Sequence, residues 1–349
     1  MILTEKIKIL FKIGNILEHL GEQKDWPGFD CGLNQSEYEN LAELVERVHV
    51  YNGWFTADSV RQAFLGISEW LKEDHLADWV ANYSIKDNAK PKRVAIIMAG
   101  NIPLVGFHDF LSVYLSGNIA VVKLSSDDKH LFPALLKTMS LFDDKISDWV
   151  EVYDGKLGDF EAVIATGSDN SAQYFESYFG KYPHIIRKNR NSIALLTGEE
   201  TDEELKELGK DIFTFYGLGC RNVTQLWIPE NFELDRFFGA IYDNNPIINH
   251  NKYANNYDYN KAVYLMNQEE ILDNGFLLLK EDKTIHSPLG MLHYVRYKEI
   301  SEAKQFFDEK QEHIQAIIGK DYIPFGKAQC PSLTDYADGV DTMKFLTEL

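Results

Sequence analysis

Cys220 closes the segment Phe215-Tyr216-Gly217-Leu218-Gly219-Cys220-Arg221-Asn222, between a helix-like run and an apolar strand over 224–228. Two glycines let the backbone turn sharply there and clear room for a substrate carbonyl. A thiol held at such a junction can serve as a nucleophile. A small buried residue fits the same position, since cysteine is among the most buried residue types. Asn101, in Ala99-Gly100-Asn101-Ile102-Pro103, follows another apolar run. Its amide suits an oxyanion as donor, or the cap of a helix that starts at Pro103. Lys123, with Ser125 and Ser126 just beyond it, ends a second run, where it can hold ribose or phosphate oxygens or simply mark a strand end. Thr166, Gly167 and Ser168 end a third. A helix N-terminus after Gly167 favours phosphate, and a tight turn with a serine cap fits as well.

Residues 1–85 read as mostly helical, with apolar residues at helical spacing over 56–83. Strands follow at 94–98, 119–123 and 162–165, with helices at 103–115, at 130–142 and up to 179. Short apolar runs alternating with helices predict a doubly wound parallel sheet. Ligands bind such sheets at the carboxyl ends of the strands, where Asn101, Lys123 and Gly167 fall. Arg187-Lys188-Asn189-Arg190-Asn191 reads as a basic, polar connector. A second α/β section begins after it, with a helix over 202–215. Residues 244–260, rich in Asn, read as a structured loop. The tyrosines of 242–259 suit either a packed core or the wall of an acyl tunnel. The end of the chain reads as a polar tail. The expected division is 1–190 for the N-terminal helices and cofactor domain, 191–325 for the catalytic domain and 326–349 for the tail.

The chain has 349 residues, 45% of them hydrophobic, and a formal net charge of −19. That charge argues against nucleic acid or an anionic membrane as partner. Three widely spaced cysteines, Cys31, Cys220 and Cys330, give neither a disulfide framework nor a zinc site, and suit a reducing cytoplasm. The N-terminus reads as an amphipathic helix and not as a signal peptide, and no run is long enough to span a membrane. His108 and Asp109 are adjacent and do not share a helix face, so no metal pair is expected; His286 and His293 read as strand residues. No metal is expected. G-x-G-x-x-G and G-x-S-x-G are both absent from the sequence.

The order of these features resembles the aldehyde dehydrogenase superfamily. Met98 through Asp109, Ile185 through Ser192, Gly217 through Thr224 and Asp335 through Gly339 are more closely similar to the acyl-CoA reductase family, which includes the fatty-acyl reductase of luminous bacteria. The resemblance implies an aldehyde dehydrogenase-like fold of two α/β domains. It makes Cys220 the nucleophile toward a thioester, and Asn101 with the Cys220 backbone N–H the oxyanion donors. Lys123, Ser125, Ser126, Thr166, Gly167 and Ser168 become the cofactor-binding set, with Lys123 at the adenosine ribose and Gly167-Ser168 at the pyrophosphate.

Three departures from the superfamily pattern stand out. The glutamate that activates water in hydrolytic relatives has no counterpart in Ile186-Arg187-Lys188-Asn189-Arg190. Losing a positioned base costs about 10²–10⁴ in rate, so a thioacyl enzyme would persist until hydride arrives. Ser126, near Lys129, stands where NAD-preferring relatives carry a glutamate that repels a 2′-phosphate. NADPH is therefore the expected cofactor, with NADH as the alternative. The superfamily's glutamate before Phe-Gly-Pro has no evident counterpart near Ser287-Pro288. The expected reaction is reduction of a fatty acyl-CoA to an aldehyde in the cytoplasm, by a homo-oligomer or beside an acyl-handling enzyme. A cysteine-dependent acyltransferase and a non-catalytic protein retaining the fold are the alternatives.

Overall fold

The computed structural model describes residues 1–85, 90–167 and 169–349, so Ser168 lies outside the described residues. The chain forms two compact units, residues 1–188 with 332–349, and residues 189–331.

The first unit opens with four helices, α1 (Leu3–Gly21), α2 (Gln35–Arg47), α3 (Ala57–Trp70) and α4 (Glu73–Ala81). The apolar stripe of α1 buries Leu10, Ile13 and Leu17 in a core shared with Phe64 and Ile67 of α3. α2 starts on a reciprocal cap: Asn34 Oδ1 accepts from Glu37 N at 2.9 Å, and Glu37 Oε2 accepts from Asn34 N at 2.8 Å. Then strands and helices alternate: β1 (Arg93–Ile97), α5 (Phe107–Leu115), β2 (Ile119–Lys123), α6 (Leu131–Phe142), β3 (Val150–Tyr153), β4 (Ala162–Thr166), α7 (Asp169–Phe179) and β5 (His184–Arg187). The five strands are all parallel, in the order β3-β2-β1-β4-β5. Val94, Ala95, Ile96, Val121 and Val163 are fully buried, as strands covered on both faces require. The order reverses between β1 and β4, and sheets of this kind bind ligands beyond the carboxyl ends of the strands at such a switch point.

The second unit contains β6 (Asn191–Leu195), α8 (Asp202–Phe213), β7 (Val223–Pro229), α9 (Leu234–Ala240), α10 (Asn251–Met266), β8 (Leu272–Asp273), β9 (Leu278–Glu281), β10 (Met291–Tyr297), α11 (Ile300–Glu309) and β11 (Ile314–Ile318). Its sheet runs β11-β6-β7-β10-β9-β8 and is parallel except for the β8–β9 pair. α12 (Thr342–Thr347) returns to the first unit.

Several sequence expectations are corrected. The helix expected from Pro103 begins at Phe107, because Leu104 is left-handed at φ +55° and cannot lie inside a right-handed helix. Asn101 therefore does not cap it. The loop read over 244–260 is a 3-10 turn followed by α10. Its asparagines are poor helix formers, but Tyr253 and Tyr257, four apart, are both buried and override that propensity. Tyr253 also donates to the Phe276 carbonyl at 2.9 Å. The helix expected to reach residue 215 ends at Phe213.

The basic connector is strand at both of its ends, since Arg187 ends β5 and Asn191 begins β6, and these two are only 4% and 8% exposed. Arg187 pairs with buried Asp109 at 2.5 Å and donates to Thr342 Oγ1 at 2.9 Å. Of the expected tail over 326–349, residues 326–331 belong to the second unit, whereas 332–349 pack within the first unit and bury Thr342, Met343 and Leu346.

Candidate functional site

Cys220 is exposed on a loop that the sequence bends hard. After α8, Phe215 and Tyr216 adopt left-handed angles, φ +53° and +58°, and Gly217 follows at +80°. Such angles cost L-residues about 1–2 kcal/mol each, so something must hold them. Asn222, fully buried, is the holder. Its Nδ2 donates to the carbonyls of Asp211 at 3.1 Å, Ile212 at 3.2 Å and Thr214 at 2.8 Å. These are carbonyls that the end of α8 leaves without helical partners. The Asn222 Oδ1 accepts from Gly219 N at 2.8 Å, and Ser192 Oγ donates to the Cys220 carbonyl at 3.0 Å. The thiol is thus presented by a loop fixed on both sides.

Asp211 extends the brace. Its carboxylate oxygens accept from Gly326 N at 2.7 Å and Ala328 N at 2.9 Å. Burial pushes its carboxyl up to about 6, against the opposing pull of those two backbone bonds.

Cys220 lies on the wall of a cavity inside the second unit. Apolar surface comes from Phe213, Leu218, Leu277, Leu289 and Met291, and polar groups come from Arg190, Asn191 and His286. No carboxylate is among the described residues that line it. His286 was expected on a strand but sits between β9 and β10, with Nδ1 3.2 Å from Asn191 Nδ2 and 3.3 Å from Asn191 Oδ1. His293 is on β10, buried, where Thr284 O contacts its Nδ1 at 2.7 Å. Sequence reasoning missed His286, Asn191 and Arg190 as cavity residues. The available signal was a histidine just before Ser287-Pro288, a turn between two apolar runs.

Tyr253 also lines this cavity, so it serves both the core and the wall.

The other expected residues gather in the first unit, at the carboxyl ends of β1, β2 and β4. Asn101 is exposed in the turn after β1. Gly100 packs so tightly on the β2 loop that an added Cβ would lie 2.4 Å from Ser125 Oγ. Ser125 Oγ accepts from Asp127 N at 3.2 Å, and Asp128 Oδ2 accepts from Leu104 N at 2.8 Å. The first bond shapes the loop carrying Ser125 and Ser126, and the second ties that loop to the turn carrying Asn101. Burial pushes the Asp128 carboxyl up to about 6. Lys123 is half-buried and Ser126 exposed. Lys129 is engaged by Asp154 at 2.8 Å.

Thr166 ends β4 half-buried. The glycine at 167 answers to packing: a Cβ there would meet Ser171 Cβ at 2.8 Å and Phe175 at 2.9 Å. An ammonium and two hydroxyls at the switch point of a parallel sheet are a donor set that fits a dinucleotide. Among the described residues no helix is long and apolar enough to cross a membrane, and no group of His, Cys, Asp and Glu gathers as a metal site.

This pairing of a nucleotide-type sheet with a cysteine-bearing α/β unit is the aldehyde dehydrogenase fold. Aldehyde dehydrogenase 21 of Physcomitrella patens, solved with succinate, matches with a TM-score of 0.59 at 13% identity, over 89% of this chain and 74% of that one. Aldehyde dehydrogenase C of Pseudomonas syringae, solved as a mutant with NAD+ and octanal, gives 0.59 at 13%, over 90% and 73%. HpcC of Thermus thermophilus gives 0.63 at 13%, over 91% and 70%. Likeness at such identity speaks for the fold alone. The family model for acyl-CoA reductase (LuxC) matches residues 44–235, and the chain belongs to that family. The chain is also similar to a long-chain acyl-protein thioester reductase of Aliivibrio fischeri, 23% identical over 234 residues, 60% of this chain and 47% of that protein. The match therefore spans less than half the length of that relative.

Proposed function

We propose that this protein reduces an acyl thioester to an aldehyde through an S-acyl intermediate on Cys220. The observation that carries the reading is an exposed thiol on the wall of a partly apolar cavity, in a chain whose family match includes that residue. Cys220 attacks the thioester carbonyl and the donor thiol leaves. The apolar residues Leu218, Leu277 and Leu289 favour an acyl chain over water, and no lining carboxylate is placed to activate water. The Asn101 amide keeps the oxyanion role that the family resemblance gives it. Lys123, Ser125 and Ser126 would hold the adenosine end of a nicotinamide dinucleotide. When bound, that nucleotide supplies the hydride. Ser126 in place of a glutamate favours NADPH, and the acyl donor we propose is fatty acyl-CoA.

Incubation with acyl-CoA should add the acyl mass to Cys220, and NADPH should then discharge it as aldehyde with loss of nicotinamide absorbance. Acylation with no nicotinamide oxidation would move the reading to a cysteine-dependent acyltransferase. Absence of both would leave a non-catalytic protein that keeps the fold.

A further inference from the structure

The cavity that presents Cys220 also brings in an imidazole from 66 positions further along the chain (286 − 220). His286 enters between β9 and β10, and Asn191 enters at the start of β6. The Asn191 amide offers both of its heads to one ring nitrogen, Nδ2 at 3.2 Å and Oδ1 at 3.3 Å from His286 Nδ1. An amide so placed donates to a bare Nδ1 and accepts from an Nδ1–H. The ring is therefore satisfied in either protonation state, and Nε2 remains for proton exchange. His293 differs, because its Nδ1 faces a carbonyl that can only accept, Thr284 O at 2.7 Å. Asn191 is 8% exposed, so its amide is held within the fold and not by solvent.

We propose that His286 is the proton carrier for Cys220, with Asn191 as the positioning residue that serves its Nδ1. This rests on reading Cys220 as the acyl acceptor. The Sγ–H proton passes to His286 Nε2. The thiolate forms the new carbon–sulfur bond at the thioester carbonyl, and the bond to the donor sulfur breaks. The same proton then leaves on the donor thiol. Atoms and charge balance with no oxidant or reductant. A cysteine, a histidine and an orienting amide form a constellation that recurs on unrelated folds because the roles, and not the scaffold, define it. The other titratable or charged groups on these walls are Arg190, Tyr216 and Tyr253, with His293 behind on β10.

Alkylation by iodoacetamide tests the assignment without acyl-CoA or NADPH. Labelling at Cys220 is followed by peptide mass spectrometry from about pH 5 to about pH 9, which separates it from Cys31 and Cys330. The wild-type rate should show a limb at the titration of an imidazole, below that of the thiol itself. His286→Gln should erase this limb and slow labelling at neutral pH by about 10-fold or more. Asn191→Asp, which can only accept from Nδ1–H, should move the limb to higher pH while leaving it present. A His286→Gln protein that labels Cys220 with the wild-type rate and profile overturns the proposal, as does an unmoved limb in Asn191→Asp. Should the limb behave as expected while acyl-CoA fails to acylate Cys220, the thioester reading fails and the proton carrier stands.

Discussion

The Asn222 side-chain oxygen accepts the backbone N–H of Gly219 at 2.8 Å, and the same side chain binds three carbonyls at the end of α8. One buried amide therefore fixes both ends of the turn that presents Cys220. Asn222→Ala leaves one donor and three acceptors without this partner. An unsatisfied buried polar group costs about 1–3 kcal/mol, so a loss of roughly 3 kcal/mol is expected in urea unfolding. Cys220 labelling should lose its dependence on native geometry even where the variant remains folded.

Asn101→Ala should lower kcat about 100-fold with a small change in KM, because an oxyanion donor acts mainly in the transition state. Equal loss of binding and turnover would instead mark Asn101 as a residue that shapes the β1 turn.

Ser126→Glu should shift nucleotide preference from NADPH toward NADH. A carboxylate there repels a 2′-phosphate, and about 1.4 kcal/mol of repulsion is a tenfold change in relative Kd. Calorimetric titration with each nucleotide reads this directly. An unchanged ratio would show that Ser126 does not face the ribose.

Asp128 and Asp211 give stability a pH dependence of known sign. Both are buried, and both carboxyls are pushed up to about 6. A carboxyl whose folded pKa exceeds its unfolded value binds its proton more tightly in the native state. Its stabilising effect is full below about 4 and is lost as pH rises through about 6, a change on the order of 2–3 kcal/mol per group. Carboxyls held low, such as Asp282 at about 2, act in the opposite sense and below this window. Urea midpoints should fall from about pH 4.5 to about pH 6.5, and Asp211→Asn should flatten part of that fall.

The buried pair Arg187–Asp109 supports structure and not chemistry. Arg187→Met alone strands a carboxylate and should cost about 3–5 kcal/mol, whereas Arg187→Met with Asp109→Leu should recover most of that loss. Comparing unfolding of the single and double variants decides it.

Much of the nucleotide-type sheet was legible, since runs such as 119–123 are short, apolar and buried on both faces. The Asn101 turn was less so. Nothing in Pro103-Leu104 announces a left-handed leucine, which the Asp128 side chain stabilises from 24 positions away (128 − 104). α10 was hidden because asparagine propensity opposes helix while Tyr253 and Tyr257 reward it only after packing. His286 was hidden for a similar reason, as it joins Cys220 on one cavity wall only once β6, β7 and β10 lie side by side. Arg187 read as part of a basic, polar connector because its partners, Asp109 and Thr342, are 78 and 155 positions distant.

The return of α12 to the first unit affects how the chain is made. Arg187, at the end of β5, bonds to Thr342, and the Asn118 side chain donates to the Leu346 carbonyl at 3.2 Å. These bonds cannot form until residues 189–331 have already been synthesised. On the ribosome the second unit, contiguous in sequence, can close first, while the first unit completes its packing only once residues 332–349 have been made. A short C-terminal truncation should therefore damage the earliest-made unit, leaving the middle of the chain intact.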